Sequence, residues 1–379
     1  MRIGIIALNF QPGTIGGVET YFRNLLIQLQ RIDTRNEYIV VLPEGQKAEI
    51  PITNSRFRIL ELQIRRNFVS KVLRLITFTP RIGYRSKLAR RIDDLKCELL
   101  HFPIQIMVPF DVRTPSIVSC MDIQQEYLPA FFSVKQLLVR RMSYKASLIR
   151  AKHIITISDF VKGTLQEKYR IDNAKMTTVY PCVDERLFNG EQQQTLLEYK
   201  MPDKYFFYPA AVWPHKNHER LLQAFSSVVQ QHPDVYLILS GIAEQNKSRI
   251  DRLVNRFDLS RWVHIRGYLK YNELALIYQH AYALIFPSLY EGFGIPIIEA
   301  MHAGCPVMCS NGTSLPEVAG KAAIYFNPLD VADIARAAID LLNNPHKRAD
   351  LIAHGKKNAL RFSGGKLAEE TIAVYERYG

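Results

Sequence analysis

The run Phe286-Pro287-Ser288-Leu289-Tyr290-Glu291-Gly292-Phe293-Gly294-Ile295-Pro296-Ile297-Ile298-Glu299-Ala300-Met301 changes structural type within a few residues, and that change sets the architecture. The apolar residues 281–286 read as a buried strand, Gly292 and Gly294 flank Phe293 in a tight loop, and Pro296 opens an apolar helical segment. Glycine lets a loop backbone approach a ligand closely, and proline suits a first helical turn, whose amides have no intrahelical partner. Those amides and the helix dipole favour an anion, and a phosphate fits the cradle formed by Gly292, Phe293, Gly294 and Ile295. Two carboxylates bracket it. Glu299, inside the first helical turns, is placed to accept hydrogen bonds from ribose hydroxyls, and Glu291, in the loop, to reach a sugar. An ordinary crossover turn with solvated glutamates has the same spacing, so these residues alone leave a nucleotide site and a plain connection both open.

The pattern resembles family 4 of the retaining glycosyltransferases, whose signature is two glutamates separated by seven residues around a Gly-Phe-Gly loop followed by Pro. Ser310-Asn311-Gly312-Thr313-Ser314-Leu315-Pro316-Glu317-Val318-Ala319-Gly320 resembles the segment that follows in that family, and Pro214-His215-Lys216-Asn217 its phosphate-binding Pro-Arg-Lys-Asn. The resemblance implies an α/β protein of the GT-B fold, with two Rossmann-like domains facing a central cleft. Residues 1–183 would bind the acceptor and 184–362 the nucleotide sugar, with 363–379 a last helix crossing back to the first domain. It also implies roles. Lys216, with His215 beside it, would meet the donor diphosphate; Glu291, Lys216 and Asp122 would form the catalytic group; Gly16 and Gly17 would lie near the donor phosphates; Tyr268 stands where the family's base contacts fall. Three departures from the family pattern stand out. The loop keeps Lys216 without the arginines frequent near Ala211 and at His215, Cys182 replaces a glycine at the interdomain crossing, and Met121-Asp122 stands where His-Asp is frequent. Asp122 also fits as a cap or turn residue after a strand.

The rest of the chain agrees with two α/β domains. A length of 379 residues exceeds one ordinary core and suits two domains of about 150 to 200 residues. Strands are expected over 2–8, 37–42, 57–63, 99–102, 116–119 and 153–157, then 205–208, 235–240, 262–266, 281–286, 306–309 and 323–325. They alternate with helices over 18–32, 70–93, 134–150 and 159–169, one running from Lys216 to 231, and helices from 330 onward, the pattern of parallel sheets wrapped by helices. Gly13, Gly16 and Gly17 lack the Gly-x-Gly-x-x-Gly spacing, which disfavours a nicotinamide cofactor. Five scattered cysteines fit reduced thiols rather than a disulfide framework. Neither Cys305 with Cys309 nor His215 with His218 has the further ligands a metal needs.

Charge is divided unevenly. Residues 1–183 hold 28 Lys+Arg against 15 Asp+Glu, and the remainder 21 against 21, so all of the +13 lies in the first half. Residues 56–91 carry eleven bases and one acid among apolar side chains, and residues 135–152 six bases and no acid. Two such segments read as a face for an anionic membrane surface rather than for nucleic acid. No run approaches the ~18 apolar residues of a membrane span. The expectation is therefore a cytoplasmic protein, peripheral on the inner face of the plasma membrane.

The function expected is a retaining hexosyltransferase. It would carry a hexose from a nucleoside diphosphate sugar, UDP-glucose ahead of GDP-mannose, to a glycan or lipid-linked acceptor in polysaccharide biosynthesis. No Asp-x-Asp triplet occurs, so neither a metal nor another cofactor is called for, and the leaving diphosphate would be met by Lys216, backbone amides and a helix terminus. The alternatives are a sugar-nucleotide-binding module with little turnover, which Met121 in the histidine position leaves open, and a sugar-nucleotide epimerase.

Overall fold

A computed structural model describes residues 1–13, 16–63, 86–184, 186–189 and 201–379. The chain divides into two compact units, one of Met1–Cys182 with Ser363–Gly379 and the other of Val183–Phe362.

The first unit holds β1 (Arg2–Ile6), β2 (Glu37–Pro43), β3 (Phe57–Leu62), β4 (Leu99–Phe102), β5 (Ser116–Cys120), β6 (His153–Thr156) and β7 (Met176–Thr178). These run parallel in the order β3-β2-β1-β4-β5-β6-β7. β4, β5 and β6 are buried along their whole length, because helices cover both faces of a parallel sheet. α1 (Gly17–Ile32), α2 (Lys87–Asp93), α3 (Val134–Arg150) and α4 (Asp159–Tyr169) connect them. α3 starts on a capping box, Ser133 with Gln136, and the side chain of Ser158 caps α4. β7 is an addition to the expected strands, a three-residue edge strand paired with β6. Of the basic-apolar segment expected as a helix over 70–93, only 87–93 is a described helix, and residues 64–85 lie outside the described residues.

The second unit holds β8 (Tyr205–Pro209), β9 (Tyr236–Ser240), β10 (Val263–Ile265), β11 (Ala283–Phe286), β12 (Val307–Ser310) and β13 (Ala323–Phe326), parallel in the order β10-β9-β8-β11-β12-β13. Its helices are α5 (Arg186–Asn189), α6 (His218–Gln231), α7 (Glu244–Arg256), α8 (Tyr271–His280), α9 (Ile295–His302), α10 (Leu315–Ala319), α11 (Val331–Asn343) and α12 (Pro345–Ala359). α13 (Gly364–Tyr378) then rejoins the first unit. There Tyr375 is fully buried, and its hydroxyl lies 2.6 Å from Nδ1 of His101, whose Nε2 lies 2.7 Å from Ser119 Oγ. Burial pushes the His101 imidazole down to about 3, so the ring is neutral and can both donate and accept in this chain.

Both sheets share one topological feature. Each winds outward from its first strand, β1 or β8, and then reverses to that strand's other side, where β4 or β11 lies. The crevice outside the carboxyl ends of those two strands is where doubly wound sheets bind ligands.

Candidate active site

In the second unit the crevice lies between the loops that follow β8 and β11. Pro214–Lys216 forms a short 3-10 turn, and Asn217 follows with a left-handed backbone, φ 61° and ψ 33°. Lys216 therefore precedes α6 instead of standing in its first turn as the sequence suggested, because left-handed Asn217 separates turn from helix. The Asn217 carboxamide donates to the carbonyls of Pro287 (3.1 Å) and Pro328 (2.7 Å). The Leu289 N–H donates to the His215 carbonyl (2.7 Å), and the Tyr208 hydroxyl to that of Lys216 (2.6 Å). The two loops are thus joined through their backbones. The sequence pattern gives Asn217 no task of its own; the available signal was that asparagine tolerates left-handed backbone better than most residues.

This joining brings Lys216 to Glu291. Nζ lies 2.6 Å from Oε1, with the side chains only 18% and 14% exposed. Burial pushes the Glu291 carboxyl up, but the charges of Lys216 and His215 outweigh it and hold the group below its usual value. Glu291 is ionised at neutral pH and Lys216 is its counter-charge. The Glu291 loop is fixed from the next crossover, where Ser314 Oγ lies within hydrogen-bond distance of the carbonyls of Glu291 (2.9 Å) and Phe293 (3.0 Å). Gly294 then caps α9 at φ 105°, and a Cβ there would sit 2.7 Å from Leu315 Cδ2, so both conformation and space require glycine. The amino end of α9, Ile295 and Pro296 included, thus follows the loop that carries Glu291 of the Lys216–Glu291 pair. An ammonium and a helix N-terminus are suited to a diphosphate, and a carboxylate beside them to a sugar hydroxyl.

Glu299, on α9, is only 6% exposed and accepts a hydrogen bond from the Tyr278 hydroxyl (2.9 Å). Burial pushes its carboxyl up to about 7. The Phe293 ring is buried edge-on against Phe362, so what it offers a ligand is backbone. Tyr268 is exposed beyond β10. His218 is buried beside the Tyr208 ring, and burial takes its imidazole down to about 3. Gly16, Gly17 and Asp122 belong to the first unit. Gly16 precedes α1 with φ 46° and ψ −121°, and Gly17 is that helix's first residue. Asp122 follows β5, and its carboxylate accepts from the backbone (3.2 Å) and side-chain (3.2 Å) nitrogens of Gln124. Met121 beside it is buried.

Residues 191–358 match the family Glycosyl transferases group 1, and residues 15–187 match Glycosyltransferase Family 4. O-antigen chain mannosyltransferase B of Escherichia coli is 31% identical over 266 residues, 69% of this chain and 70% of that protein. O-antigen chain mannosyltransferase RfbU of Salmonella typhimurium is 33% identical over 215 residues, 56% of this chain and 57% of its own length. Among solved structures, sucrose-phosphate synthase from Thermosynechococcus elongatus superposes with a TM-score of 0.78 at 18% identity, covering 100% of this chain and 98% of that one. Anabaena HepE in complex with UDP-glucose superposes with a TM-score of 0.76 at 17% identity, covering 100% of both chains. The chain belongs to glycosyltransferase family 4 and is a bacterial polysaccharide glycosyltransferase of the GT-B fold.

Proposed function

We propose that the protein transfers mannose from GDP-mannose to a glycan or lipid-linked glycan, with retention at the anomeric carbon and without a metal. The observation that carries this reading is the Lys216–Glu291 pair at the carboxyl ends of β8 and β11. Lys216 and the first-turn amides of α9 take up the charge of the leaving diphosphate. The bond from the anomeric carbon to the phosphate oxygen breaks, and the acceptor hydroxyl forms its bond on the same face. Its proton passes to the departing phosphate. Glu291 holds the sugar through a hydroxyl. The two mannosyltransferase relatives support a mannosyl donor, which puts GDP-mannose ahead of the UDP-glucose favoured on sequence alone. The lack of an Asp-x-Asp triplet supports metal independence, and activity should survive excess EDTA. Loss with EDTA and recovery with magnesium or manganese contradicts that part.

A thermal-shift panel tests the donor. A ligand at 100 times its dissociation constant stabilises by about 2.7 kcal/mol. GDP-mannose and GDP should shift the transition, and UDP-glucose and UDP should do so less; the reverse order returns the donor to a UDP-hexose. Binding without product release in the presence of membrane glycans would instead favour a module with little turnover.

The same reading places the protein on the cytoplasmic face of an anionic membrane, through the first unit. α3 supports it: Val134 and Leu138 are 83% and 55% exposed, in a helix with Lys135, Arg140, Arg141, Lys145 and Arg150 and no acid. Among the described residues no helix is long and apolar enough to cross a membrane. Each basic residue near such a surface contributes about 1 kcal/mol, screened beyond about 10 Å at 0.1 M salt. The protein should sediment with phosphatidylserine vesicles at low salt and leave them as salt rises, and Val134→Ser with Leu138→Ser should weaken this. Equal partitioning onto neutral vesicles contradicts it.

A further inference from the structure

The first unit has its own crevice, outside the carboxyl ends of β1 and β4, and one side chain organises it. Gln105, three residues beyond β4, has φ +62°, a backbone conformation that side-chain-bearing residues rarely adopt. The turn around it is as tight as a turn can be. The Ile106 N–H donates to the Ile104 carbonyl (2.6 Å), closing a three-residue turn whose positive-φ form is rare and strained. Glycine would make this turn at no steric cost, so the side chain there is informative.

That side chain uses both ends of its carboxamide. Oε1 accepts from the Met121 N–H at 2.6 Å, with the Asp122 N–H at 3.5 Å. Nε2 donates to the Asp122 carbonyl at 2.8 Å and lies 3.7 Å from Cys120 Sγ. Gln105 is only 8% exposed, so these bonds are shielded from water. The same turn is tied on its other side, where the Asn9 carboxamide, from the loop after β1, donates to the Ile104 carbonyl (2.9 Å). Strand ends β1, β4 and β5 are thereby linked in order, Asn9 to Ile104 and Gln105 to Met121–Asp122. The last link holds the backbone that carries Asp122, at the position where His-Asp is frequent in the family.

We propose that Gln105 is a positioning residue for transfer: its carboxamide clamps the Met121–Asp122 backbone and so sets the Asp122 carboxylate for substrate. A left-handed turn orients the Gln105 side chain toward the neighbouring strand's loop, and the two-ended clamp fixes both the amide and the carbonyl of that loop. With Met121 in place of histidine, Asp122 is the polar side chain of the pair left to meet substrate; Gln105 fixes the backbone that carries it, while Gln124 donates to its carboxylate. The proposal rests on the reading of Asp122 as a substrate-facing residue.

The test is a double-mutant cycle between Gln105→Gly and Asp122→Asn, followed by release of GDP from GDP-mannose or of UDP from UDP-glucose, whichever the parent turns over. Gln105→Gly relieves the positive φ and removes the clamp, giving up the buried bonds to Met121 and Asp122, so it should stay folded, melt lower than the parent by only about a few degrees, and bind GDP or UDP as the parent does. A small misplacement of a reacting group costs up to about a hundredfold in rate, and Gln105→Gly should slow release by about tenfold. Residues acting as one unit are non-additive, so Gln105→Gly should slow the Asp122→Asn variant little further. Gln105→Glu, which keeps the acceptor but sets a carboxylate against the Asp122 carbonyl, gives a second variant with the same expected loss. Parental release rates in Gln105→Gly with a slowed Asp122→Asn, or losses that multiply in the double variant, overturn the clamp. A parental rate in Asp122→Asn overturns the assignment of Asp122, and the clamp with it.

Discussion

The two units have the same strand order around their switch points and opposite chemistry in them. At the β8/β11 point the loops meet through a buried ion pair, Lys216 with Glu291, next to a glycine-capped helix start. At the β1/β4 point they meet through neutral carboxamides, those of Asn9 and Gln105, around a loop carrying Asp122. Topology supplies the crevice in both cases, and the side chains decide what it holds. A fixed ammonium with helix amides suits a diphosphate; a carboxylate on a loop braced by carboxamides suits hydroxyls. The glycines differ in the same way. Gly294 is required twice over, by φ 105° and by the close approach of Leu315, whereas a Cβ at Gly16, where φ is 46°, would meet no atom of the described residues within 4 Å.

The largest expected effect tests the charged half. Lys216→Ala leaves Glu291 buried without its counter-charge, which should cost about 3 kcal/mol of stability in denaturant unfolding and lower transfer on the order of a hundredfold or more. Adding Glu291→Gln should restore much of the stability and none of the transfer; if the double variant is as unstable as Lys216→Ala, the pair is not the coupled unit described. Gly294→Ala should cost about 2 kcal/mol or more, and Gly16→Ala, with only its backbone strained, about 1 kcal/mol. Equal costs in the same denaturation series would remove the contrast between the two loops. Glu299 gives a pH dependence. Burial raises its carboxyl to about 7, so the folded protein favours the protonated form. Its contribution is complete below the ordinary carboxylate value of 4.5 and is lost as pH rises through about 7, on the order of 3 kcal/mol in all. Melting temperatures of the parent should fall between pH 5 and pH 8 more than those of Glu299→Gln, and parallel profiles would show that Glu299 titrates normally.

Residues 281–301 were readable because two signals coincide there, a buried apolar strand and a turn whose glycines and proline have one use each. The strands of both sheets were legible for the same reason, with ends differing by a residue or two where pairing frays. β7 escaped because Met176–Thr178 is three residues long and only half-buried beyond Met176, too short for any period. Lys216 was assigned to a helix because the apolar period of α6 begins directly after it, and the left-handed Asn217 that separates them shows in no pattern of apolar residues. Ser314 lay inside a recognised segment, yet its bonds run back to the Glu291 loop, twenty-odd positions earlier. Gln105 was out of reach altogether. Glutamine carries no turn signal, and its partners at Met121 and Asp122 become neighbours only when β4 and β5 pair.

The contrast between the two switch points is tested most directly by calorimetric titration of GDP and UDP into Lys216→Met and Asp122→Asn, each beside the parent. A charge-assisted hydrogen bond contributes about 1.5 to 3 kcal/mol. Lys216→Met should therefore lose at least about tenfold in affinity for the nucleotide that binds the parent better, while Asp122→Asn binds it within about twofold. Parental affinity in Lys216→Met, or a loss in Asp122→Asn as large as in Lys216→Met, would contradict the assignment of the diphosphate to the β8/β11 crevice.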